Sequence, residues 1–227
     1  MKQQWLLYLF VADLITEIIA IYYNLTNVRF ITKPLLMISI GLFIWQQVIV
    51  DKKIKLFLIS AIGFSLVGDI FLLLEKSNNS SFIFGLVSFL LAHIFYILLF
   101  LHIKQSQLPL RRWNPFFITI LLAYVVILCY ILGPNLGALK IPVIIYSLVL
   151  SFMLIAAYHS FNFINQTGGR WVITGAFFFV VSDSLLAINK FYISLANSGV
   201  AIMITYALAQ LFIAIGITKF TRSPDKA

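Results

Sequence analysis

The chain has 227 residues, of which 62% are hydrophobic and only 10% charged, with a mean hydropathy of +1.04. Soluble domains are nearer half apolar and a quarter charged, so the composition excludes a soluble globular protein and indicates an integral membrane protein. The formal net charge of +9 does not point to nucleic acid, because Lys and Arg fall at the ends of apolar runs, as orientation bias in membrane proteins requires.

The apolar runs predict an all-α polytopic membrane bundle of eight transmembrane helices in one integral membrane domain, residues 1–227. The first span covers about 4–23. Asp13 and Glu17 interrupt it, and no small-residue cleavage site follows, so it does not read as a signal peptide. The two acids are spaced i, i+4 and share a face. Glu17 is a candidate pocket residue, whereas Asp13 reads as a buried acid paired with a neighbour. The second span, 34–50, opens with Lys33-Pro34, where proline suits a helix start.

The third span, 55–74, contains Asp69 in the run Phe64-Ser65-Leu66-Val67-Gly68-Asp69-Ile70-Phe71-Leu72. The fourth, 81–103, carries His93 and Tyr96 beside a small-residue stripe of Gly85, Ser88 and Ala92, which reads first as helix packing. The fifth, 115–132, holds the lone cysteine, Cys129, a packing residue with no partner for a disulfide. The sixth, 141–159, opens with Lys140-Ile141-Pro142 and carries Tyr146.

The seventh, 170–189, contains Asp183 in Phe178-Phe179-Val180-Val181-Ser182-Asp183-Ser184-Leu185-Leu186 and is followed by Lys190. The eighth, 198–219, carries Tyr206 and Gln210 on one face. Spans three and seven therefore share the pattern F-x-x-V-(small)-D-x-x-L. With the Lys and Pro opening spans two and six, this predicts a parallel four-plus-four repeat, since an offset of four helices preserves orientation.

The connections carry turn chemistry, as in Asn24-Leu25-Thr26-Asn27, Ser77-Asn78-Asn79-Ser80, Gly133-Pro134-Asn135 and Thr167-Gly168-Gly169. Eight spans put both termini on one side. That side holds Lys2, Lys52, Lys53, Lys55, Lys104, Arg111, Arg112, Arg170, Lys219, Arg222 and Lys226, against Arg29, Lys33, Lys76, Lys140 and Lys190 opposite. The excess predicts cytoplasmic termini, in a bacterium at the inner or plasma membrane. Asp69 and Asp183 then lie about 7–8 Å from the outer helix ends, and Glu17 about 9 Å. Tyr146 falls at similar depth, Lys33 and Lys190 lie at the outer boundary, and His93, Tyr206 and Gln210 lie deeper.

A carboxylate at membrane depth is costly, so a functional site is the default reading. Two buried carboxyls can divide the work of acid and base. They can equally form a structural clamp between helices or a proton relay in a transporter. Lys33 and Lys190 could hold a phosphate at the mouth, or simply snorkel at helix ends. The three histidines, His93, His102 and His159, lie at different depths and do not form a zinc site, so no metal or other cofactor is expected. No P-loop, G-x-S-x-G or H-E-x-x-H motif occurs.

The chain resembles the YhhN-like lysoplasmalogenases. The likeness rests on Lys33-Pro34-Leu35, Gly68-Asp69-x-x-Leu72 and Phe84-Gly85-Leu86-x-x-Phe89-x-x-Ala92-His93-x-x-Tyr96. It continues through Pro142-Val143-x-x-Tyr146 running to Met153, Gly175-Ala176, Ser182-Asp183-x-x-Leu186-Ala187, Lys190-Phe191 and Tyr206-x-x-Ala209-Gln210. The resemblance implies a membrane hydrolase that cleaves the vinyl-ether bond of a lysoplasmalogen, releasing a fatty aldehyde and a glycerophospho-alcohol. It carries catalysis onto Asp69 and Asp183 and a pocket onto Lys33, His93, Tyr146 and Gln210. Depth alone adds Glu17, the position at the mouth seven residues after Asp183 adds Lys190, and the face shared with Gln210 adds Tyr206. The expected partners are a lysophospholipid and the surrounding membrane lipid. The alternatives are a proton-coupled lipid or small-solute transporter, a non-catalytic lipid-binding protein, and a hydrolase of another lysolipid.

Overall fold

A computed structural model describes residues 5–76, 79–106, 112–161 and 167–222. The turn residues Ser77 and Asn78, and the basic residues Lys2, Arg111 and Lys226 used for orientation, lie outside them. The described residues form eight long helices: α1 (Trp5–Tyr22), α2 (Thr26–Trp45), α3 (Lys52–Leu73), α4 (Asn79–Gln105), α5 (Pro115–Leu132), α6 (Lys140–Phe161), α7 (Thr167–Phe191) and α8 (Ser198–Thr221). All eight are long and apolar enough to cross a membrane, and no strand occurs among the described residues.

The main departure from expectation is the start of α2, which lies eight residues earlier than the hydropathy reading of 34–50. Asn24 adopts a left-handed conformation (φ 55°) that ends α1, and the amides of Val28 and Arg29 already bond to Leu25 O. Pro34 is therefore an interior proline, with no amide to donate to the preceding turn of its own helix. Thr26, Asn27, Arg29 and Thr32 made this stretch read as loop. In the fold, Thr26 and Arg29 face a cavity and Thr32 bonds to Glu17. Lys33 consequently sits about 10 Å along α2 and is buried, not at a helix end.

Elsewhere the local chemistry of starts is direct. Asp51 caps α3 by accepting from the amides of Lys53 and Ile54. Asn114 caps α5 in the same way, with Pro115 at the first helical position.

Between membrane helices, close packing supplies what the hydrophobic effect cannot. The most extensive contacts are α7 with α8, α3 with α4 and α1 with α2, while α4 packs on α6 and α5 packs on α6 and, less, on α7. Small residues allow α7 and α8 to approach. A Cβ at Gly216 would lie 2.8 Å from Gly168 O, and one at Gly175 would lie 2.8 Å from Ala209 O. Large apolar side chains such as Tyr8, Phe116, Val126 and Tyr130 face outward, as lipid-exposed surfaces require. Inside, Tyr96, Phe100, Phe161, Phe179 and Phe220 form an aromatic column through the inner part of the bundle. The polar cavity lies between the starts of α2 and α8 and the ends of α3 and α7.

Candidate active site

The cavity has a volume of about 270 Å³, and both Asp69 and Asp183 line it. The repeated pattern places each acid against a close neighbour. Beside Asp69, Gly68 leaves room for the Phe89 ring, whose Cε2 would lie 2.7 Å from a Cβ. Beside Asp183, the hydroxyl of Ser182 donates to Ile202 O on α8 at 3.1 Å.

The two acids are held differently. Asp69 is 1% exposed. Its Oδ1 lies 3.2 Å from Lys33 Nζ, and its Oδ2 accepts from the Tyr206 hydroxyl at 2.7 Å. Asp183 Oδ2 accepts from the Tyr146 hydroxyl at 2.5 Å, with His93 Nε2 at 3.7 Å, beyond a good hydrogen bond. Among the described residues no hydrogen bond reaches Asp183 Oδ1. Of the cavity's three carboxylates, Asp69 pairs with Lys33 and Glu75 with Lys190, while Asp183 has no Lys or Arg partner.

The other expected site residues divide by distance from the cavity. Lys33 and Tyr206 line it. Tyr146 lines a smaller apolar cavity of about 40 Å³, which shares Leu72, Phe89, Asp183 and Leu186 with the first. His93 is completely buried, packed edge-on against the rings of Tyr146 and Phe179, and makes no side-chain hydrogen bond among the described residues. Gln210 lies a layer deeper. It accepts from the Tyr96 hydroxyl at 2.5 Å and donates to Ser65 Oγ at 2.9 Å, beneath Tyr206. Glu17 is fully buried behind the cavity wall, bonded to Arg29 and Thr32. Lys190 forms an exposed ion pair with Glu75 and lies 5.0 Å from the Phe82 ring. Asp13 is buried away from the cavity, with no hydrogen-bond partner for Oδ2 among the described residues.

Arg29, Thr32, Ser65 and Glu75 were not singled out from sequence. Arg29 stands four residues before Lys33, so a helix begun at Thr26 would have put both cations on one face. The other two histidines lie elsewhere: His102 bonds Asp51, and His159 Nε2 accepts from the Asn114 amide. Cys129 packs against Ser147, with Sγ 3.7 Å from its hydroxyl.

A helical membrane bundle with two acids in one cavity, one buried and paired with a lysine and the other partly buried and without a Lys or Arg partner among the described residues, is the class that fold and site define. The chain belongs to the YhhN family, whose profile matches residues 28–217. It is 32% identical over 169 residues to human "Lysoplasmalogenase TMEM86A", covering 71% of this chain and 64% of that protein. It is 31% identical over 172 residues to "Lysoplasmalogenase" of Mycobacterium bovis, covering 75% of this chain and 63% of that protein. The match to Mycobacterium tuberculosis "Lysoplasmalogenase" has the same extent and identity. The chain thus spans a little under two thirds of the length of the curated relatives it matches. No solved structure matches it.

Proposed function

We propose that this chain is an intramembrane lysoplasmalogen hydrolase in which Asp183 and Asp69 divide acid and electrostatic roles. The observation that carries the reading is their asymmetry within one cavity. Lys33 balances an ionised Asp69. Asp183 lines the same cavity, accepts at Oδ2 from the neutral Tyr146 hydroxyl, and among the described residues has no hydrogen bond at Oδ1 and no Lys or Arg partner. The names of the relatives support the substrate class.

The chemistry follows from these positions. Acid hydrolysis of a vinyl ether begins with proton transfer to carbon. Asp183, protonated on Oδ1 while Oδ2 accepts from Tyr146, delivers that proton to the alkenyl carbon remote from oxygen. The oxygen-bearing carbon becomes an oxocarbenium ion, stabilised by the new Asp183 carboxylate and by Asp69. Water attacks this carbon and returns a proton to Asp183. The resulting hemiacetal breaks its carbon–oxygen bond, giving aldehyde and a glycerol hydroxyl. Tyr206, seated on Gln210, and Tyr146, packed on His93, act as positioning residues for the two acids. The small apolar cavity beside Asp183 suits the first carbons of the chain, and the larger one suits the polar end.

The parallel four-plus-four repeat and cytoplasmic termini belong to the same reading. Each acid draws one partner from the preceding helix and one from the last helix of the other half. For Asp69 these are Lys33 on α2 and Tyr206 on α8; for Asp183 they are Tyr146 on α6 and His93 on α4. The basic excess on the side of the termini supports the orientation.

The test is aldehyde release from lysoplasmalogen by protein in liposomes, with Asp183→Asn and Asp69→Asn alongside. Wild type should release aldehyde, and Asp183→Asn should lose on the order of 10²–10⁴-fold in rate. Wild-type turnover in both variants would rule out this mechanism.

A further inference from the structure

Neither lysine expected at the mouth is available to an anion in the simple sense. Lys33 is committed to Asp69, and Lys190 to Glu75, itself a lining residue of the cavity. Arg29 is different. It lines the cavity with its side chain 29% exposed, and its Nε donates to Glu17 Oε1 at 3.0 Å. Glu17 is itself 0% exposed, and its other oxygen accepts from the Thr32 hydroxyl at 2.5 Å. This contact holds the guanidinium from behind, through one nitrogen. The two terminal amino groups make no hydrogen bond among the described residues. A planar fork with its plane fixed and its outer edge open is the geometry that receives two phosphate oxygens.

The spacing also fits. Arg29 lies one turn, about 6 Å, nearer the start of α2 than Lys33, whose ammonium pairs with Asp69. In a 1-alkenyl lysophospholipid the phosphorus lies about six bonds from the reacting carbon, on the order of 7 Å when extended. A lipid with its vinyl ether at Asp183 can therefore put its phosphate at this height.

We propose that Arg29 binds the phosphate of the lysophospholipid headgroup and that Glu17 positions it. The proposal rests on the lysolipid reading of the cavity and names its specificity determinant. It also gives Glu17 a role different from substrate contact.

The experiment measures binding, so it does not depend on turnover. Full-length protein in nanodiscs is titrated with 1-O-alkyl-lysophosphatidylcholine and with the phosphate-free 1-O-alkylglycerol of the same chain, neither of which contains a vinyl ether. Wild type should bind the phospholipid at least about 10-fold more tightly, as a charge-assisted bidentate contact implies. Equal affinities in wild type overturn the proposal without any variant. Arg29→Gln should weaken the phospholipid about 10- to 100-fold and leave alkylglycerol within about 3-fold. Arg29→Lys, which keeps charge and loses the fork, should retain part of the preference, and Glu17→Gln should reduce it. Parallel loss of both lipids in Arg29→Gln, or loss of neither, overturns the assignment. Inorganic phosphate at millimolar concentration is the remaining arm. Weak displacement of the lipid supports a headgroup site, whereas full displacement reassigns it to free phosphate. Arg29-dependent binding without aldehyde release would remove the hydrolase reading alone; aldehyde release without phosphate preference would remove this one alone.

Discussion

Lys33 is the residue on which the balance of the site turns. Its ammonium sits 3.2 Å from a carboxylate that is 1% exposed. Removing one partner of such a pair leaves the other charge buried, a loss of about 3–5 kcal/mol, whereas removing both is often near neutral. Lys33→Met should therefore destabilise the protein strongly, measured by thermal unfolding in detergent. The double variant Lys33→Met/Asp69→Asn should recover most of that stability without recovering activity. Additive losses would show that the two groups do not act as a pair. Gln210→Leu gives a contrasting case. It leaves the hydroxyls of Tyr96, Ser65 and Tyr206 short of a partner. It should slow aldehyde release through misplacement of Tyr206 while leaving lysolipid affinity within about 3-fold, because it touches no substrate. A selective loss of affinity would put Gln210 in the pocket.

At the scale of the element, helix contacts and caps give tests that do not involve the site. The α7–α8 crossing depends on Gly216, where a Cβ would meet Val172 Cγ2 at 2.7 Å and Gly168 O at 2.8 Å. Gly216→Val should cost about 1–3 kcal/mol or more by forcing backbones apart. Gly63→Ala, where a Cβ meets nothing within 4 Å, should be neutral or slightly stabilising. The cap of α3 is sensitive to pH. Burial works to raise the Asp51 carboxyl. The His102 hydrogen bond and the amides of Lys53 and Ile54 outweigh it, holding the group below the usual carboxylate range. A depressed folded value means that the stabilisation is complete above about pH 4 and is lost as pH falls through the folded value. Asp51→Asn should thus narrow its stability gap to wild type below pH 4. A gap constant down to pH 2 would contradict the capping role.

Elements also mark where sequence reasoning reached and where it stopped. Spans such as 115–132 were legible because their whole length is apolar and their ends carry Asn-Pro and Gly-Pro. The start of α2 was not, because hydropathy counts Thr26, Asn27, Arg29 and Thr32 as solvent-facing. In the fold Thr26 and Arg29 line the cavity, and Arg29 and Thr32 bond to Glu17. The acids were visible as charges inside apolar runs. Their partners were visible only as residue types, since periodicity along one helix cannot say which neighbour it meets. Lys190 illustrates this, for its position suggested the mouth and its actual partner, Glu75, comes from the single 3-10 turn that follows α3.

At the scale of the whole molecule, the bundle brings one acid from each half into a single cavity and dresses each from both halves. Neither half holds a complete set of partners for its own acid. The central claim is that this arrangement delivers a proton to the alkenyl carbon. The most direct measurement is hydrolysis of a lysoplasmalogen by the reconstituted protein in D₂O, with the aldehyde trapped at early time and weighed by mass spectrometry. Carbon protonation places one deuterium on the carbon next to the aldehyde, in wild type, with product formation collapsing in Asp183→Asn. Aldehyde formed by wild type without that deuterium would contradict the account.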